Sequence, residues 1–235
     1  MSKRIALIIP AYNEEKAIGP LIGQISSMIS VPGFVIDPII VNDCSKDRTA
    51  ILARQFPCIL LDLPVNLGIG GAVQTGFKYA SKMGYDYAIQ MDGDGQHPPS
   101  EVSKLISAIA NSDYDVVIGS RFLEKEGFQS TFLRRLGIVY FKYLIRILSG
   151  ITITDCTSGF RIYNRKALEI VAKLYPDEYP EPESIILFKK KRMKVKEIPV
   201  VMIERQGGKS SISTFRSIYF VVKVTLATLL SSLKY

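Results

Sequence analysis

Residues 85–99 read YDYAIQMDGDGQHPP, and this stretch sets the architecture of what surrounds it. The apolar run from 85 to 91 has the length and composition of a buried strand. It stops at Asp92 and Asp94, each followed by a glycine that lets the backbone turn sharply. Two carboxylates one residue apart at a strand's carboxyl end can converge on one divalent cation, with the Gln96 amide oxygen nearby. Oxygen-only ligands favour Mg2+ or Mn2+ over zinc, and a site with so few protein ligands takes the rest from phosphate or water. The motif therefore suits a metal-bound diphosphate. Asp-Gly pairs are also what a solvated turn demands, so taken alone it leaves a plain turn open.

On either side of this stretch one alternation recurs. Strands are expected at residues 4–9, 35–41, 58–63 and 116–118, and helices at 14–28, 45–55, 69–83 and 100–111. Continuous apolar strands alternating with such helices predict an α/β protein, a mostly parallel sheet covered on both faces. Ligands of such sheets bind beyond the carboxyl ends of the strands. The residues there are 10–14 after the first strand, Asn42 and Asp43 after the second, 66–71 after the third and 92–96 after the fourth. Four loops thus face one crevice. Asp43 heads VNDCSKDRT, in which Ser45 or Asp47 is placed to cap the next helix. NLGIGG at 66–71 looks like a dinucleotide fingerprint but fails it, because Val73 stands where the third glycine belongs. A dinucleotide-dependent dehydrogenase is disfavoured.

After Gly119 the alternation is not expected to continue. Residues 131–149 form an amphipathic helix, with Phe132, Leu133, Leu136, Tyr140, Phe141, Leu144 and Leu148 set against Arg134, Arg135, Lys142 and Arg146. A second such segment covers 213–234, and its longest uncharged runs, 217–222 and 224–233, are each too short to span a bilayer. Lys223 between them favours a helix lying in a membrane interface. The plain alternative is two ordinary helices packed on the domain. The expected organisation is one domain over 1–211, including the first amphipathic helix, followed by an interfacial helix over 212–235.

The chain has 235 residues, 47% of them hydrophobic, enough for a core that folds alone. Thirty Lys and Arg against 22 Asp and Glu leave a formal charge of +8, which asks for an anionic partner. No RNA-binding fingerprint, zinc-finger spacing or helix-turn-helix pattern stands out, so nucleic acid is not expected, and phosphate and a membrane surface are. Cys44, Cys58 and Cys156 are odd in number and lack metal-ligand spacing, which agrees with a reducing compartment and no disulfide. The apolar run in MSKRIALIIP is too short for a signal-peptide core, so a cytoplasmic protein attached peripherally to the membrane is expected.

Further motifs follow in order: IPAYNEE at 9–15, NLGIGGAVQTGF at 66–77, GSRF at 119–122, DCTSGFR at 155–161, YPEPESI at 179–185 and an R-x-x-G-x-S at 205–210. With VNDCSKDRT and MDGDGQHPP they resemble the family-2 inverting nucleotide-sugar glycosyltransferases, in particular the branch that transfers a sugar to a polyprenyl or dolichyl phosphate. The resemblance implies a GT-A-type fold, a UDP- or GDP-hexose donor, Mg2+ or Mn2+, and a polyprenyl-phosphate acceptor at a membrane surface. It implies that Pro10, Ala11, Tyr12, Glu14 and Asp43 hold the base and ribose, with Asn42, Gly71, Asp92, Gly93 and Asp94 completing the nucleotide-sugar site. Asp92, Asp94 and Gln96 would hold the metal, and Arg121, Arg205, Lys209 and Ser210 the acceptor phosphate. Asp94, Arg121, Asp155 and Arg205 form the expected catalytic set. Two departures stand out. Asn42 replaces a common aspartate, which bears on base recognition and leaves Asp43 available, and Ser211 replaces a frequent lysine, passing its role to Lys209.

Inversion requires the acceptor oxygen to attack the anomeric carbon opposite the departing diphosphate. A lipid phosphate is already anionic and needs no base, whereas a hydroxyl needs one, a contribution of roughly a hundred- to ten-thousand-fold. Asp155, Glu181 and Glu183 are the candidates, although YPEPESI also reads as a helix start with early prolines and acidic residues in its first turn. His97, the only histidine, is expected to orient the HPP turn or cap the next helix. The alternative function is transfer to a saccharide hydroxyl in surface-polysaccharide assembly. A sugar-phosphate nucleotidyltransferase and a non-enzymatic nucleotide-sugar sensor are more distant rivals. A second copy of the chain or a separate membrane protein stays open as a partner.

Overall fold

Strand β1 (Lys3–Ala11) is the spine of the molecule, and Ile5, Ala6, Leu7, Ile8 and Ile9 in it are wholly buried. An unbroken apolar run is what a strand covered on both faces requires. In this computed structural model, which describes residues 2–28, 30–124, 132–203 and 214–234, the chain continues through α1 (Ile18–Met28), β2 (Phe34–Asn42), α2 (Thr49–Ala53), β3 (Ile59–Asp62), α3 (Gly68–Lys82) and β4 (Tyr87–Gln90). A single 3-10 turn leads into α4 (Val102–Ala110), then β5 (Val116–Ser120), α5 (Phe132–Ser149), β6 (Arg161–Asn164), α6 (Arg165–Leu174), α7 (Pro180–Lys190), β7 (Val195–Pro199) and α8 (Thr214–Lys234).

The seven strands order β3-β2-β1-β4-β6-β5-β7, parallel except for β6, which runs antiparallel to both neighbours. Alternate residues of β1 feed two cores. Ala6 and Ile8 pack with Phe77 of α3, Phe141 of α5, Leu168 of α6 and Phe188 of α7. Ile5, Leu7 and Ile9 pack with Ile22 of α1 and Ile106 of α4. The α/β architecture with helices on both faces follows the sequence pattern.

Three differences have local causes. The alternation resumes after Gly119, because β6 starts with Arg161, a wholly buried charge whose Nε donates to the Ser158 carbonyl at 2.7 Å and Nη1 to Ser184 Oγ at 2.7 Å. A strand opening on arginine does not read as apolar. Helix α2 is shorter than expected, since Ser45 Oγ accepts from the Asn13 N–H at 3.0 Å and Asp47 from the Glu15 N–H at 3.1 Å. Both side chains tie the second loop to the first, while Asp47 Oδ1 also accepts from the Thr49 N–H at 2.9 Å at the start of α2, as expected of it. YPEPESI does start a helix, α7, with proline in its first turn. Among the described residues no helix is long and apolar enough to cross a membrane.

Gly70 shows that packing explains one glycine of NLGIGG. A Cβ there would lie 2.0 Å from the Asp177 carbonyl oxygen and 2.5 Å from that of Pro176, both backbone atoms that cannot swing aside. Gly70→Ala is expected to cost about 1–3 kcal/mol, seen as a lower urea midpoint. An unchanged midpoint would mean that this close approach is absent in solution.

Candidate active site

The loops after β1, β2, β3 and β4 enclose a cavity of about 360 Å³. Pro10, Ala11, Tyr12 and Glu14 line it from the first loop, Asp43 from the second, Asn66, Gly68 and Ile69 from the third with the start of α3, and Asp92, Gly93 and Asp94 from the fourth. Eight of the sequence-predicted nucleotide-sugar residues therefore share one crevice.

The loops are laced together by backbone donors. Asn13 and Cys44 both adopt left-handed backbone, with φ of 55° and 58°, a conformation that costs a non-glycine residue about 1 kcal/mol or more. Asn13 Oδ1 accepts from the Lys46 N–H at 2.8 Å, and Thr49 Oγ1 from the Glu14 N–H at 2.9 Å. Asp43 is nearly buried, and its carboxylate accepts from the N–H groups of Leu67 at 2.7 Å and Gly68 at 2.9 Å. It thereby fixes the entry to α3. Asn42, expected in the nucleotide site, turns away and donates to Asp62 Oδ1 at 2.7 Å, and Gly71 lies in α3 outside the cavity lining, against Leu67.

At the other end of the cavity Asp94 Oδ1 accepts from the Gln96 N–H at 3.0 Å, closing the turn. A Cβ on Gly93 would stand 2.7 Å from the Pro10 carbonyl, so glycine lets the fourth loop lie on the first. His97 is almost fully buried, stacked on Phe160 with ring centroids 4.7 Å apart, and its Nε2 lies 3.4 Å from Asp92 Oδ2. Neither ring nitrogen has a hydrogen-bond partner among the described residues. Gln96, expected as a metal ligand, places its amide nitrogen 3.4 Å from the Ile203 carbonyl and its backbone carbonyl accepts from the Ile203 N–H at 3.0 Å. Among the described residues no three His, Cys, Asp or Glu side chains form a metal cluster. Asp92 and Asp94, opening on this cavity of about 360 Å³, fit Mg2+ or Mn2+, whose remaining ligands would come from diphosphate and water, and do not fit a closed zinc site.

Beneath the fourth loop lies a polar floor. Gln90, buried at the end of β4, accepts from the Tyr175 hydroxyl at 2.7 Å, and its amide reaches Glu181 Oε1 at 3.3 Å. Burial pushes the Glu181 carboxyl above its ordinary range, against the pull of the Arg161 charge. Glu183, the other candidate in that motif, accepts from Ser231 Oγ at 2.6 Å on the α7–α8 contact, away from the cavity. A Cβ on Gly159 would sit 3.1 Å from Asp92 Oδ1 and 3.1 Å from Gln90 Nε2. Gly159→Ala is therefore expected to displace the Asp92 carboxylate by a few tenths of an ångström and lower turnover about tenfold with little change in melting temperature. Wild-type turnover would show that Asp92 tolerates the shift.

Arg121 and Asp155 meet at the end of β5. Arg121 Nε donates to Asp155 Oδ2 at 2.6 Å and Nη2 to Oδ1 at 2.7 Å, while Nη2 also reaches Thr157 Oγ1 at 2.9 Å. Asp155 is wholly buried. Burial disfavours the guanidinium charge, but the Asp155 carboxylate outweighs it and raises the Arg121 pKa. Glu197 supports this pair from behind, accepting from the N–H groups of Thr154 at 2.7 Å and Asp155 at 2.8 Å. Arg205, Lys209 and Ser210 lie outside the described residues. Asn66 lines the cavity from the 66–71 loop expected there, whereas Gln90, Gly159 and Phe160 carry no such individual expectation. The signal for Gln90 was present, a lone amide in an apolar strand.

Among solved structures, glucosyl-3-phosphoglycerate synthase from Mycobacterium tuberculosis, in complex with Mn2+, uridine diphosphate and phosphoglyceric acid, superposes with a TM-score of 0.71 at 20% identity, over 98% of this chain and 78% of that one. This likeness is one of fold, and the fold is of the GT-A type. The chain is 31% identical to the UDP-N-acetylglucosamine–dolichyl-phosphate N-acetylglucosaminyltransferase of Methanococcus voltae, over 86% of each chain. It is 29% identical to the undecaprenyl-phosphate mannosyltransferase of Micrococcus luteus, over 89% of this chain and 88% of that one. The model of glycosyl transferase family 2 matches residues 6–171, from the core of β1 through the four loops to α6, and the chain belongs to that family of glycosyltransferases.

Proposed function

We propose that the protein transfers a hexose from a UDP- or GDP-sugar to a polyprenyl phosphate, with inversion, at the cytoplasmic face of a membrane. The observation that carries the acceptor is the Arg121–Asp155 pair. Asp155, one of the three carboxylates read from sequence as candidate bases, is wholly buried and held at both oxygens by a guanidinium, an arrangement poor for removing a proton. An acceptor that is already an anion needs no such base. The names of the relatives support the same choice.

The roles follow from position. Tyr12, 45% exposed at the cavity, offers a ring face to the base, and Glu14 lies beside it for the ribose. Asp92 and Asp94 hold a divalent ion, Mg2+ or Mn2+, which when bound neutralises charge on the departing diphosphate. His97, stacked on Phe160, closes the buried side of Asp92 at 3.4 Å. Arg121, with Arg205, Lys209 and Ser210, receives the acceptor phosphate and aligns its oxygen opposite the leaving group. Cys44, Cys58 and Cys156 are free thiols, in keeping with a reducing compartment.

A second reading has its own support. Glu181 is an acid whose pKa is raised by burial beside Gln90, and a carboxylate tuned upward suits a general base for a saccharide hydroxyl. Incubation with labelled donor and either polyprenyl phosphate or an oligosaccharide decides between them. Label passing into the organic phase supports the lipid acceptor, and label staying in an aqueous glycan overturns it. Thermal shifts with UDP, GDP, CDP and dTDP, each with and without Mn2+, identify the donor nucleotide, since a ligand that binds only the native state raises its stability.

A further inference from the structure

Helix α8 is apolar on the wrong side for a soluble protein. Its inward stripe is Val224, Thr228 and Ser231, all buried, while Val222, Leu226, Leu229, Leu230 and Leu233 are exposed. Ser231 Oγ donates to Glu183 of α7 at 2.6 Å, which fixes this orientation, while Thr228 is satisfied within α8 by the Val224 carbonyl at 2.6 Å. Helix α5 carries a matching outward stripe, Leu136, Val139, Tyr140, Tyr143 and Ile147, over a buried Ile138, Phe141 and Ile145. The spacings follow helical periodicity on both. Tyr140 Oη and Thr225 Oγ1, 3.1 Å apart, join the two helices side by side. The stripes therefore form one apolar face, wider than scattered exposed leucines would give.

One end of that face is strongly basic. Lys189, Lys190, Lys191 and Arg192 follow one another at the carboxyl end of α7, all exposed. Lys190 Nζ donates to the Ser232 carbonyl in the last turn of α8 at 2.5 Å. Lys189, Lys190 and Arg192 also line a cavity of about 450 Å³ with Ile151, two residues beyond α5. The basic turn thus meets the carboxyl ends of α5 and α8, where the apolar face is most open: Ile147 is 81% and Leu233 83% exposed. Arg192 holds a left-handed φ of 52°, at a position after a helix where glycine is the easy choice. The negative end of the α7 dipole explains one or two cations there, not four in succession.

We infer that the exposed 189–192 turn is a binding site for phospholipid headgroup phosphates, which docks the interfacial face expected from sequence, here formed by α5 and α8, on an anionic bilayer. The inference deepens the lipid-acceptor reading and rests on it for its purpose. Helix α7 runs from Glu181, beneath the active cavity, to this turn, about 15 Å further on at 1.5 Å per residue. The basic turn and the polar floor below the fourth loop therefore lie at opposite ends of the buried helix α7. Apolar insertion supplies salt-independent attachment, and the basic turn adds selectivity for negative lipid that salt screens.

The test is sedimentation of the full chain with vesicles of phosphatidylcholine alone or mixed equally with phosphatidylglycerol, at low and high salt. K189Q/K191Q/R192G removes three charges at exposed positions and places glycine at the left-handed site, so it folds at least as well as the wild type. It is expected to lose about tenfold or more in partition onto the anionic vesicles at low salt and nothing onto phosphatidylcholine. I147E/L233E is expected to lose binding to both. Wild-type protein left in the supernatant with anionic vesicles, or a triple variant that binds them unchanged, overturns the inference. So does a dimer in vesicle-free solution that I147E/L233E dissociates, which would assign the face to a second copy. Transfer to detergent-dispersed polyprenyl phosphate separates the two readings: its absence with intact vesicle binding sinks the acceptor, and its presence without vesicle binding sinks the docking face.

Discussion

Asp94→Asn is expected to lower transfer by about 10²–10³-fold while the protein stays folded. The substitution is chosen because an asparagine Oδ1 can still accept the Gln96 N–H that closes the fourth loop, bonded at 3.0 Å by the aspartate. The turn survives and the charge does not. Asp92 and Asp94 are the two fourth-loop carboxylates proposed to hold a divalent ion, and losing one removes half of the charge that this pair presents where the diphosphate leaves. Three measurements belong together: turnover with saturating donor, the melting temperature, and the Mn2+-dependent part of the thermal shift given by the nucleoside diphosphate. The expected pattern is a large fall in the first, a small change in the second and loss of the third. A variant keeping more than about a tenth of wild-type turnover would mean that charge at Asp94 is not what holds the leaving group. Asp92→Asn should behave differently, because Asp92 also faces the buried His97 at 3.4 Å, and removing its charge perturbs the packing of the fourth loop as well.

What the sequence made legible, and what it did not, divides along one physical line. The units built on β1 to β5 were readable because these strands are mainly apolar, even β2 around its Asp37–Pro38 pair, and each following loop falls at a strand's carboxyl end, so the crevice and most of its lining came with the fold. Strand β6 was hidden because Arg161 opens it, and a wholly buried guanidinium looks in sequence like a surface residue. The same holds in the site. Asn42, Gln96 and Glu183 sit in the expected motifs, yet their side chains bond to Asp62, Ile203 and Ser231, partners 20, 107 and 48 residues away. Periodicity cannot see such partners. Gly70 shows the converse: part of a motif that suggests phosphate binding, it sits where α3 passes the backbone of residues 176–177 with no room for a Cβ.

The second large effect is expected at the Arg121–Asp155 pair, where structure and chemistry can be separated. Asp155→Ala leaves a guanidinium with a side chain only 14% exposed without its carboxylate, and breaking a buried pair in this way costs about 3–5 kcal/mol. Arg121→Ala leaves the wholly buried carboxylate in the opposite predicament, with a similar cost. Removing both should cost well under the sum of the two, because neither partner is stranded, and the difference is a coupling energy that denaturant titrations on the four proteins of the cycle measure directly. Transfer should not follow stability. The double variant regains much of its fold and none of its turnover, since the proposed seat of the acceptor phosphate goes with Arg121. Additive stability losses would show that the pair is not closed in solution. Recovery of turnover in the double variant would show that Arg121 serves only to neutralise Asp155, and the acceptor phosphate would then have to be held by Arg205, Lys209 and Ser210 without it.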